Sequence, residues 1–181
     1  MNTNFNPVLY RSCALSQGYA LDCRDSAGGV KNVWIANYAN VSGVTASAGT
    51  ISAISKANNG RFWKYEQYKE TAEASEDITG STENGTVFFK QTVNIALRKM
   101  QASLRNEIKL LATSLVVIVV QDVNDKYWYY GETRGLELNT GKIGTGKAFG
   151  DKNGYDLTFE GAEPSPAQEV SSSVITGLTT P

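Results

Sequence analysis

The stretch TVFFKQTVNIALR, residues 86–98, alternates along its length. Val87, Phe89, Val93, Ile95 and Leu97 fall on one face. Lys90, Thr92, Asn94 and Arg98 fall on the other, with Phe88 and Ala96 among them. A period of two belongs to a strand, whose successive side chains point to opposite faces. The spacing predicts one half-buried strand over 86–98, about 43 Å long at about 3.3 Å per residue. Downstream the period switches. In QASLRNEIKLLATS (101–114) the residues Leu104, Ile108 and Leu111, continued by Leu115, follow i, i+4, i+7 and i+11. That is one stripe of an amphipathic helix, placed over 102–113 with Ser103 as its N-cap. LVVIVVQD (115–122) is β-branched on both faces and reads as a central strand buried on both sides.

Weaker elements surround this trio. Residues 1–8 are polar and are expected to form an arm, and 8–15 and 19–24 can pair as a hairpin through Gln17-Gly18. After the turn at Ala27-Gly28-Gly29, VKNVWIANY (30–38) points Val33 and Ile35 one way and Trp34 the other. Residues 39–56 are small and rich in Ser, Ala, Thr and Gly. GRFWKYEQY (60–68) reads as an aromatic strand; its Arg61 and Lys64, interleaved with aromatics, are a weak single-strand nucleic-acid signal. Residues 66–85 read as a long polar loop ending in the turn dipeptide Asn84-Gly85, with a helical turn at 69–76. YWYYGETRGLEL (127–138) looks like two strand pieces around Gly131, and YDLTFEG (155–161) like another strand. The reading is of a single β-rich domain over 1–170, followed by a C-terminal arm over 171–181.

Composition bounds the chemistry. The 181 residues are 41% hydrophobic and 19% charged, with a net charge of −1 and no histidine. No bulk basic field recruits nucleic acid, and neither a Ser-His-Asp nor a Cys-His arrangement can be built. Cys13 and Cys23 are too few for a four-cysteine zinc site. They can face each other across a hairpin as a disulfide, or stay free as synthesis in a cytosol favours. No secretory signal is read in the N-terminal residues, and the apolar run LVVIVV is far too short to span a membrane. GKIGTGKAFG (141–150) matches the first seven positions of a P-loop, but Ala148 stands where a Mg²⁺-binding hydroxyl is required. Turn residues, not a helix, follow it, so a mobile hairpin loop is expected. DVNDK (122–126) resembles a fragment of a calcium loop without its downstream Glu. Composition leaves a two-carboxylate glycosidase open, yet Asp122, Asp125, Asp151 and Asp156 all sit near turns. No catalytic, cofactor or metal residue is assigned.

Taken together, the long strand, the short helix, LVVIVVQDVNDKYWYYGETRGLEL, the Gly-rich loop and GDKNGYDLTFEGAEPSP resemble structural proteins of tailed bacteriophages over roughly 86–170. The likeness is to tail-tube-like proteins of phages infecting gut Bacteroidales. The resemblance implies a mainly β (α+β) fold: a β-sandwich or small barrel with one flanking amphipathic α-helix, a long loop and flexible terminal arms. It also implies six copies in a ring, and rings stacked into a conduit for genomic DNA without sequence-specific contact. The protein would be made in the host bacterial cytoplasm and reside in the virion beside other virion proteins, with no enzymatic activity. Alternatives are another virion part (capsid decoration, head-completion or connector ring protein) or a carbohydrate-binding β-sandwich using Trp63 and Trp128 as a shelf. The 66–83 segment carries six acidic residues and one lysine, net −5 against +4 for the remainder. Head-to-tail assembly could match Glu70, Glu73, Glu76 and Asp77 with Arg98, Lys99, Arg105 and Lys109 of a neighbour.

Overall fold

Five consecutive apolar residues, Val116 to Val120, can all be buried only where both faces of a strand are covered. In the computed structural model, which describes residues 18–19, 24–57 and 59–179, this is the case. The chain forms β1 (Val30–Asn37), β2 (Val41–Ser47), β3 (Thr50–Lys56), β4 (Trp63–Glu66), β5 (Glu73–Ser81) and β6 (Thr86–Arg98). Helix α1 (Ala102–Leu111) follows, then β7 (Val116–Asp122), β8 (Tyr127–Tyr130), β9 (Glu137–Gly144), β10 (Gly154–Glu163), β11 (Gln168–Val170) and helix α2 (Ser172–Leu178). One sheet has seven strands in the order β2-β3-β11-β8-β7-β1-β4, and the other has four in the order β5-β6-β10-β9. Among the described residues both sheets are open, so the architecture is sandwich-like and not a small barrel.

The alternation of β7 divides its side chains between two cores. Val116, Ile118 and Val120 join Val33, Ile35 and Tyr130 against Val93, Ile95, Tyr155, Leu157 and Phe159 of the smaller sheet. Val117 and Val119 point the other way, with Trp34, Ala36, Tyr129, Ile51 and Val170. Helix α1 packs on the first core through the expected stripe: Ile108 is buried, and Leu104 and Leu111 are partly so. Its N-cap position is Gln101, whose side chain makes no capping bond, so Ser103 lies inside the first turn. Lys109 in the last turn suits the negative end of the helix dipole.

Two readings are corrected, and a segment left without a reading gains structure. The segment 66–85 is not a long loop: Tyr68–Ala72 turn the chain, and Glu73–Ser81 form β5, paired with β6 over nine residues from Glu73↔Asn94 to Ser81↔Thr86. No helical turn forms at 69–76. The unassigned segment 39–56 holds a 3-10 turn at Tyr38–Asn40 and the β2–β3 hairpin. The C-terminal arm contains a second helix. Ser172–Leu178 lie on the second core, Leu178 is buried, and its carbonyl accepts from the Phe62 amide at 2.9 Å. Burying one leucine side chain is worth about 1.5–3 kcal/mol, which offsets the poor helix propensity of the Val, Ile, Thr and Gly in this helix of about two turns. The N-terminal arm, most of the 8–24 hairpin, and Cys13 and Cys23 lie outside the described residues.

Candidate assembly surface

Directly opposed residues in an antiparallel ladder share a face. The β6–β10 register sets Val93 opposite Phe159 and Ile95 opposite Leu157 on the core side. The other face of the smaller sheet therefore carries Glu73, Ser75, Asp77 and Thr79 from β5, and Lys90, Thr92 and Asn94 from β6. From β10 and β9 it carries Asp156, Thr158 and Glu160, and Glu137, Thr140 and Lys142. Apart from Phe88, opposite Thr79, this face is mostly polar, with carboxylates outnumbering lysines. Lys90 reaches Glu160 at 3.2 Å, Asn139 donates to Glu160 Oε2 at 2.6 Å, and Lys152 pairs with Asp156. Among the described residues β5 and β9 each pair with one strand, so both edges of this sheet are open. The edges differ. β9 carries Lys142 and an irregularity beside Thr158/Phe159, the usual protections of an edge. β5 has no Lys, no Pro and an unbroken register.

The core stops part-way along the β5–β6 hairpin at a polar rung. Gln91 is buried and stands beside Glu76: its Nε2 donates to Glu76 Oε1 at 2.7 Å, and its Oε1 accepts from the Gly131 amide at 2.8 Å. Glu76 Oε1 also accepts from the Ala167 amide at 2.7 Å. Beyond the rung, Ile78 is 73% exposed, Val87 63% and Phe88 37%. A buried acid, Glu163, receives the Thr133 and Arg134 amides at 3.0 and 2.8 Å and pins the loop from β8 to β9. On that loop Glu132 is pushed above the ordinary carboxylate range, first by burial and then by the charge of Glu163.

The eight residues assigned to assembly do not behave alike. Glu76 is removed from the set, because its carboxylate is spent inside the molecule on Gln91 and Ala167. Glu70, Glu73, Asp77, Arg98, Lys99, Arg105 and Lys109 are exposed. Glu73 and Asp77 lie on the open β5 edge, Glu70 in the preceding turn, and the four basic residues at the β6–α1 junction and on α1. The Arg98 guanidinium stacks 3.6 Å above the Tyr68 ring, which half-occupies that cation. Sequence reasoning missed the outer-face residues Ser75, Thr79, Glu137, Asp156 and Glu160 as one surface. The signal was the faint alternation of EASEDITGS, hidden by its acidity.

Other candidate chemistries are absorbed structurally. The Gly-rich stretch is strand through Gly144 and loop thereafter, leading into β10 and not a helix. The Lys147 and Ala148 amides both donate to Asp151 Oδ2 at 2.7 Å. Those bonds, Ala148's first, stabilise the carboxylate and hold the Asp151 pKa below its ordinary value. Asp122 Oδ1 accepts the Asn124 and Lys126 amides within its own turn, and Asp125 pairs with Lys31 at 2.7 Å. No group of three His, Cys, Asp or Glu able to hold a metal occurs among the described residues. Trp63, 55% exposed on the edge strand β4, lies under Arg61. Trp128 is half-buried against the first core with its indole N–H on Asp122, and β7 and β1 separate the two indoles, so they form no common shelf. Burial raises the Tyr129 and Tyr130 hydroxyls far above their ordinary value. No described helix is long and apolar enough to cross a membrane. No protein-family model, curated protein or solved structure matches the chain.

Proposed function

We propose that this chain is a virion structural subunit of a tailed bacteriophage, tail-tube-like, without enzymatic activity, whose copies join edge to edge into rings. The observation that carries the reading is the smaller sheet: among the described residues it has four strands, two open edges, one face on the core and one mostly polar face turned outward, on which carboxylates outnumber lysines. Strand directions alternate β5, β6, β10, β9, so β9 of one copy meets β5 of the next in antiparallel sense and continues the ladder. An open edge is a template for another strand, and heterologous contacts close when the rotation allows. Closure would give each ring a lining built from the outer face. Carboxylates there repel phosphate, which suits a conduit that DNA traverses without adhering. The exposed apolar tip, Ile78, Val87 and Phe88, would serve contact between successive rings.

Electron microscopy of concentrated protein tests this, with a Ser75→Lys/Thr79→Lys double variant that charges the β5 edge. We expect rings or tubes from the wild type and folded monomers from the variant. Deleting 69–82 would be uninformative, since it removes β5 itself. Monomeric wild type at every concentration and salt, or assembly unaffected by the two lysines, would sink the reading.

A further inference from the structure

The sequence contains three Asn-Gly steps: Asn59-Gly60, Asn84-Gly85 and Asn153-Gly154. This dipeptide is chemically vulnerable because glycine leaves the following backbone nitrogen unhindered, free to attack the asparagine side chain. The attack requires that nitrogen to approach Cγ, so a hydrogen-bonded amide or a pinned side chain resists it.

The fold treats the three steps differently. Gly60 is buried, its amide donates to the Ala57 carbonyl at 2.8 Å, and a Cβ there would lie 2.5 Å from Asn40. Asn153 is held on both sides: its Oδ1 accepts the Met100 amide at 3.0 Å and its carbonyl accepts the Lys99 amide at 2.7 Å. Gly154 then enters β10 as a buried residue between β6 and β9. Asn84 sits at the opposite extreme. It lies in the exposed turn joining β5 to β6, and its side chain bonds to no described residue. Gly85 is in the left-handed region at φ 62°, has nothing within 4 Å of a notional Cβ, and donates no backbone hydrogen bond among the described residues.

We propose that Asn84 is a site of spontaneous covalent modification, deamidating through a cyclic imide, while the fold protects Asn59 and Asn153. The Gly85 nitrogen loses its proton and bonds to Asn84 Cγ, and the side-chain nitrogen leaves as ammonia. Water then adds to one imide carbonyl. Cleavage at Cγ gives aspartate, and cleavage at the backbone carbonyl gives isoaspartate, with the chain rerouted through the side chain. Neither step changes an oxidation state. The product places a second negative charge beside Glu83, on the hairpin tip that carries the exposed Ile78, Val87 and Phe88. Because the attacking nitrogen must be deprotonated, the conversion accelerates as pH rises.

The test is incubation of the purified full chain at neutral and mildly alkaline pH, followed by proteolysis and mass spectrometry of the three peptides. The Asn84 peptide should convert severalfold faster than the other two, and the three rates should converge in denaturant. Gly85→Ala should slow the conversion severalfold. Asn84→Asp should remove the time-dependent acidic species on ion exchange. Equal rates at the three sites in the folded chain, or an Asn84 peptide that keeps its amide while another converts, would overturn the assignment.

Discussion

The two halves of β6 obey the same alternation and have opposite fates. From Val93 to Leu97 the apolar residues meet the larger sheet and are buried. From Thr86 to Phe88 the hairpin continues, fully paired to β5, with nothing opposite, and Val87 stands in solvent. The Glu76–Gln91 rung marks the border. Side-chain polarity decides which way a strand faces. Where the core ends is decided by the reach of the other sheet, and here the end is sealed by amides and a carboxylate. Hydrophobic residues past that seal make a surface suited to contact with another molecule.

Substitutions on either side of the rung put numbers on the difference. Ile95→Ala, inside, should cost about 2–5 kcal/mol by denaturant unfolding, as buried Ile truncations do; a value below about 1 kcal/mol would mean the sandwich is loosely packed there. At the border, Gln91→Ala leaves the Gly131 amide and one Glu76 bond unpaired, and should cost about 1–3 kcal/mol. Amide exchange should also speed at Gly131. Glu132→Gln tests the loop on which the rung leans. A carboxyl with a raised folded pKa favours its protonated form in the fold, so its contribution to stability falls as pH climbs from the ordinary carboxylate value through the raised one. Glutamine imitates the protonated form and can still accept from Gln168. The variant should therefore melt higher than wild type near neutrality and equally in acid below the carboxylate range; equal melting at both would place Glu132 in water. Outside, Val87→Ala should change stability by no more than about 0.5 kcal/mol. If it matches Ile95→Ala, the tip folds back onto a core.

Where a segment packs by its own pattern, the fold was legible in the sequence. β6 occupies 86–98 as its alternation predicts, β7 is buried on both faces, and α1 presents Leu104, Ile108 and Leu111 to the core. The failures share a cause: structure imposed by a distant partner. β5 is acidic and exposed almost throughout, so its composition suggests a solvated loop, yet β6 offers it a ladder. The apolar residues of β2 and β3, Val41, Val44, Ile51 and Ile54, lose their period at irregularities beside Gly43 and Ala46. α2 has weak intrinsic helicity and forms where Leu178 can be buried. The charge asymmetry of 66–83 was visible. That Glu76 points inward was not, because its partners, Gln91 and the Ala167 amide, are 15 and 91 residues away.

The short strand β11 has a consequence for the order of events during synthesis. It lies between β3 and β8, pairing parallel to the first at Glu169↔Thr50 and antiparallel to the second at Glu169↔Trp128. The β2–β3 hairpin therefore joins the rest of its sheet through residues that are translated long after it, β11 at Gln168–Val170 against β3 at Thr50–Lys56. A ribosome adding about 5–20 residues per second releases the hairpin long before its docking strand emerges. The sandwich can close around β7 in the nascent chain, whereas the face holding Ile51 and Phe62 must wait for Val170 and Leu178 of β11 and α2 to leave the exit tunnel. Truncated nascent chains ending before Gln168 should accordingly protect the β6 and β7 amides while leaving those of β3 open to exchange.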